Sequence, residues 1–61
     1  MPNLTAKELA ALSDQLDFEK VLYGKYQSAV QECQDSQLQQ QFQSMAQQHK
    51  KNYSCLLNYL K

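Results

Sequence analysis

The chain has one glycine, one proline and no isoleucine, and valine occurs only twice. Strands draw on β-branched residues and tight turns on glycine and proline, so a fold of short strands has too little material here. No apolar run approaches the ~18 residues of a bilayer span, and none forms a signal-peptide core, so neither a membrane segment nor a cleaved leader is expected. The two cysteines, Cys33 and Cys55, belong to no Cys-x-x-Cys and pair with no histidine at zinc-finger spacing, which removes the usual staples of a small domain. Six basic and six acidic side chains give a formal net charge of zero, without the basic excess that nucleic acid demands. At 61 residues there is no room for a Rossmann domain, a barrel or a P-loop enzyme. A chain near 60 residues buries only ~60% of its unfolded surface. Lacking disulfide or metal, it is expected to borrow core from another copy.

What remains is rich in helix formers: leucine, alanine, glutamine, glutamate and lysine. Residues 1–5 read as an N-terminal extension and cap, and residues 6–61 as one helical hairpin with helices at about 6–33 and 36–60. Thr5 followed by Glu8 is a capping box. Leu9, Leu12, Leu16, Glu19, Tyr23, Tyr26, Val30 and Cys33 then recur at alternating spacings of three and four, and Leu22 and Ala29 widen the stripe. Gly24 inside so regular a pattern reads as a point of close packing. Asp35 is placed to cap the second helix. Its stripe runs Leu38, Phe42, Met45, His49, Tyr53 (or Asn52), Leu56 and Leu60, with Ala46 and Leu57 alongside.

Only Gln34 and Asp35 separate the two patterns, which makes the helices antiparallel neighbours. The first carries a charge balance of −2 and the second +2, a weak mutual attraction. Nine of the eighteen residues from Gln31 to Gln48 are glutamine. That density suits a prion-like tract or a polar helix face, and the helical period of Leu38, Phe42 and Met45 through it favours the face. Helices of roughly 40 Å touch along one seam only, so a wide stripe stays partly uncovered. Two hairpins face to face would bury it as a four-helix bundle, and a symmetric dimer is the commonest closed solution. The fold class expected is therefore all-α, a two-helix antiparallel hairpin dimerising into a four-helix bundle. The dimer interface is expected at Leu9, Leu12, Leu16, Tyr23, Tyr26, Val30, Phe42, Met45, Tyr53, Leu56 and Leu60. Cys33 at the turn and Cys55 roughly 27 Å along the second helix are too far apart for a disulfide within one chain. They read as free, partly buried thiols of a protein made in a reducing compartment.

Two polar residues interrupt the apolar seam. Glu19 lies about fifteen residues before the turn and His49 about fourteen after it, so they face each other at one height near the middle of each helix. A buried carboxylate is costly unless it is paired or metal-bound. One reading is a charge-assisted hydrogen bond between them, joined by Tyr23, Tyr26 or Tyr53. The other is a metal site, in which a dimer's two carboxylates and two imidazoles suffice for a zinc-like tetrahedral centre. No serine has a His/Asp arrangement at helical spacing, so no catalytic residues and no enzymatic activity are expected.

The segments LTAKELAALSDQLDFEKVLYGKYQ and CQDSQLQQQFQSMAQQHKKNYSCLLNYLK resemble the coat F family of spore-forming Firmicutes. The resemblance runs over about residues 4–60, through Glu19-Lys20 with Tyr26, the Cys33-Gln34-Asp35 turn, and Ala46-Gln47-Gln48-His49 on to Leu56-Leu57-Asn58-Tyr59-Leu60. It implies a small spore-coat or coat-like protein of ferritin-like helical architecture: structural, made in the cytoplasm and placed in the spore coat during sporulation, with other coat proteins as partners. Ferritin-like metal sites use a glutamate on one helix and Glu-x-x-His on the next. Glu19 and His49 match two of these positions, but residue 46 is alanine, which leaves one carboxylate missing per hairpin. A further alternative is a regulatory hairpin that exchanges its dimer contacts for a target helix.

Overall fold

In the computed structural model of the chain, which describes residues 4–60, Thr5 and Glu8 form the complete capping box that their spacing implies. The Thr5 hydroxyl accepts from the Glu8 N–H at 3.1 Å, and the Glu8 carboxylate accepts from the Thr5 N–H at 3.0 Å. The Thr5 backbone N–H, and after it the Thr5 hydroxyl, hold the Glu8 carboxyl below its ordinary pKa.

Helix α1 spans Ala6–Glu32 and helix α2 spans Ser36–Leu57. The second helix does not keep α geometry to residue 60 as expected: Asn58–Leu60 tighten into a 3₁₀ turn. No glycine follows Leu57 to provide a left-handed cap, so the end is closed by i→i+3 bonding instead. No strand occurs among the described residues, and no helix among them is long and apolar enough to cross a membrane. Residues 1–3 of the expected N-terminal extension and residue 61 of the expected hairpin lie outside the described residues.

The turn is Cys33–Asp35, one residue longer than the sequence suggests. Asp35 caps α2, its carboxylate accepting from the Leu38 N–H at 2.9 Å. The C-terminal carbonyls of a helix have no intrahelical donors. Here Gln39 supplies one, its side-chain amide donating to the Val30 carbonyl at 3.1 Å and to the Cys33 carbonyl. A residue on the first turn of α2 thus ties off the end of α1, and the two rods fold back as an antiparallel hairpin 46 Å long.

The core is narrow. Among the described residues only Leu16, Ala46 and Glu19 are buried. Leu12, Tyr23, Tyr26, Val30, Phe42, Tyr53 and Leu56 are half-buried along the seam, while Leu9, Met45 and Leu60 are exposed. Of the expected interface residues, Leu16 is therefore already covered by its own chain. Both cysteines are free thiols, but only Cys33 is half-buried; Cys55 is exposed.

Gly24 corrects the sequence reading. A Cβ built there meets nothing within 4 Å, so the glycine is not a point of close packing. It sits in the interior of α1 and only weakens the helix. Gly24→Ala is expected to stabilise the chain by about 1 kcal/mol. For a chain this short that is a rise of about 4–8 °C in thermal midpoint, read by circular dichroism. A fall in midpoint would mean that this surface is occupied in solution.

Candidate functional site

Glu19 and His49, the two polar residues of the seam, meet across the helix pair. Glu19 lies halfway along α1, and the short turn places His49 of α2 at the same level. His49 Nδ1 stands 2.5 Å from Glu19 Oε1. The carboxylate can only accept, so Nδ1 carries the proton and the bond fixes the ring's orientation. Tyr26 holds the imidazole from the other side, its ring stacked on His49 at 5.5 Å and 7°. Phe42 lies 6.0 Å beyond Tyr26 in a tilted contact.

Tyr26 contributes stacking, and neither it nor Tyr23 or Tyr53 makes the expected hydrogen bond to the pair. The pair's other hydrogen bonds come from two amides that the sequence reading did not assign to the site. Asn52 Nδ2 donates to Glu19 Oε2 at 3.3 Å and to Oε1 at 3.5 Å, and Gln15 Nε2 donates to Oε2 at 3.3 Å. Their positions carried a signal: Gln15 is one helical turn before Glu19, and Asn52 is one turn after His49. The carboxylate is 6% exposed yet fully bonded. The His49 hydrogen bond dominates its titration and lowers the Glu19 pKa; burial opposes this, and Asn52 and Gln15 assist. This is a satisfied buried polar cluster, the arrangement that limits the cost of placing a charge in an apolar seam.

The donors do not fit a ferritin-like dimetal centre. Ala46, at the position of the second carboxylate, is buried against α1 with 3% of its surface exposed. Both oxygens of Glu19 are engaged by side chains of its own chain. Among the described residues no three of His, Cys, Asp and Glu gather at one point. A metal at Glu19 and His49 would require ligands from a second chain and the release of Asn52 and Gln15.

Glu19 marks the line between two flanks of the hairpin. On one flank Gln15, Asn52, Cys55 and Leu56 surround it. Residues seven apart share a helix face, so Leu22 and Ala29 continue the Gln15 row, while Leu38, Met45 and Tyr59 continue the Asn52 row. Leu38 is 41%, Met45 45% and Tyr59 53% exposed. Beside them stands Phe18, 56% exposed, with Val21 further round α1 at 54%. Neither Phe18 nor Val21 belongs to the stripe read from the sequence. On the other flank Glu19 lines a cleft with Lys20, Tyr23, Lys50 and Tyr53. A second hollow, lined by Tyr23, Gln27, Val30, Gln31, Gln43, Ala46 and Gln47, continues along the same flank. One flank thus carries the exposed Phe18, Leu38 and Met45 beside the Gln15 and Asn52 amides, and the other carries the lysines Lys20 and Lys50. Compared with family models, with curated proteins and with solved structures, the chain matches none.

Proposed function

We propose that the chain is a non-catalytic assembly module that works as a homodimer, two hairpins closing into a four-helix bundle through the flank bearing Leu22, Leu38, Met45 and Phe18. The observation that carries this reading is surface. The chain exposes 4950 Å². A compact monomer of its 7.1 kDa would expose about 4,100 Å². The excess, about 850 Å², is the surplus of a thin rod over a compact shape, and a second copy would cover part of it. Its chemistry agrees, because the most exposed large side chains include Phe18, Leu38 and Met45. The lysine-bearing flank is a poor rival, since a contact there would bury the charged Lys20 and Lys50.

Sedimentation equilibrium tests the proposal. The expected species has twice the 7.1 kDa chain mass, and Leu38→Glu with Met45→Glu returns it to a monomer by setting carboxylates into the apolar contact. A wild-type chain that stays folded and monomeric at high concentration overturns it.

A structural role in a spore coat, with other coat proteins as partners, is the use that the coat F resemblance implies for such a bundle. A fluorescently tagged chain forming a ring around the forespore of a sporulating bacterium would support that role. Diffuse signal in the mother cell would remove the coat assignment and leave the dimer untouched.

A further inference from the structure

The cleft on the lysine-bearing flank is left unused by the bundle proposed above. Its volume is about 250 Å³, and its lining is almost wholly carbon, from Tyr23, Tyr53 and the stems of Lys20 and Lys50. Sites for drug-sized ligands run about 300–1,000 Å³, so this one suits one or two fused rings. Both lysines are exposed, so their stems lie along the cleft while their ammonium groups reach water. The one acid in the lining, Glu19, turns both oxygens to His49, Asn52 and Gln15; it keeps its charge, so two lysines against one carboxylate leave the lining net positive. Among the described residues the Glu19–His49 contact is the sole ion pair, so Lys20 and Lys50 meet no carboxylate. An apolar floor of two phenol rings between two ammonium groups, net positive with Glu19 counted, is complementary to a flat apolar body carrying a negative charge.

We propose that this cleft binds a small aromatic anion, with the rings seated against Tyr23 and Tyr53 and the carboxylate or sulfonate held between Lys20 and Lys50. The cleft belongs to a single chain, so the proposal stands or falls independently of dimerisation. The exposed lysines steer and select more than they anchor, because each ion pair at a surface contributes little.

The full chain is titrated with 2-naphthoate and followed by amide chemical shifts. Saturable shifts centred on Lys20, Tyr23, Lys50 and Tyr53 are expected, with a dissociation constant on the order of 1 mM for so small a ligand. Replacing both lysines (Lys20→Gln with Lys50→Gln) is expected to weaken binding about tenfold, and the neutral isostere 2-naphthylmethanol to bind weaker by a similar factor. Lys25→Gln, away from the cleft, leaves the affinity unchanged. Shifts centred on Leu38 and Met45, equal affinity for the neutral isostere, or no response to the double substitution would each overturn the proposal.

Discussion

Ala46→Leu is expected to lower the thermal midpoint by about 10 °C, a larger loss than alanine-to-leucine at an exposed helix position produces. Ala46 is 3% exposed and is the most deeply buried side chain described. It faces the part of α1 that carries Tyr23 and Val30, with which it lines a common hollow. The residue is covered on all but 3% of its surface, and three added carbons that crowd α1 there carry a strain of typically about 1–3 kcal/mol. In a chain this short each kcal/mol shifts the midpoint by about 4–8 °C. The disturbance reaches His49, one turn along α2, so the bond to Glu19 should lengthen as the helices separate. Ala46→Gly separates packing from propensity: it costs about 1 kcal/mol without a clash. Ala10→Leu, on the exposed face of α1, should stay within about 0.5 kcal/mol of wild type. Denaturation followed at 222 nm ranks the three. An Ala46→Leu chain at least as stable as wild type would show that the seam has slack, and the tight helix crossing would have to be given up.

The local features of this fold were legible because their causes are local. Thr5 and Glu8 are three residues apart, Asp35 directly precedes its helix, and both caps form as their spacing requires. The pairing of Glu19 with His49 was legible for a different reason: a short turn makes distance from the turn equal to height along the hairpin. Periodicity, however, gives one direction per helix and not the width of what covers it. It therefore placed Leu16 in the stripe of one helix and Met45 in that of the other as equal parts of the interface, although Leu16 is buried in the seam and Met45 is 45% exposed beside it. It passed over Phe18 and Val21, which lie outside that direction. The amides Gln15, Gln39 and Asn52 were hidden among eleven glutamines and three asparagines. Nothing in composition separates an amide that bonds a buried carboxylate from one that faces water. Gly24 misled for the same reason, since a glycine within a regular helix looks alike whether a neighbour fills the space or solvent does.

The Glu19–His49 pair is expected to yield opposite results for single and double substitution. His49→Leu leaves a buried carboxylate with two amide donors and without its shortest hydrogen bond, and removes the ring on which Tyr26 stacks. Glu19→Leu leaves His49 and Asn52 without their acceptor. Each change is expected to cost about 2 kcal/mol, the range for hydrogen bonds to charged groups. With both replaced by leucine only the half-buried Asn52 amide has lost its acceptor, so the double variant should be more stable than either single one and close to wild type. Two single losses that simply add would mean that the residues act separately. Acid supplies an independent test. The folded pKa of Glu19 is lowered, chiefly by the His49 hydrogen bond. Its contribution is therefore fully present above the ordinary glutamate value and is lost as pH falls through that value to the lowered folded one. Glu8 is lowered too, by the Thr5 backbone and hydroxyl, so the wild-type profile alone mixes two sources. The difference in unfolding free energy between wild type and Glu19→Gln isolates one of them: it should shrink as pH falls from the ordinary glutamate value toward the lowered folded one. A difference unchanged across that range would place the stabilisation in the packing of Tyr26 and Leu16 around the pair, and not in the charge of Glu19.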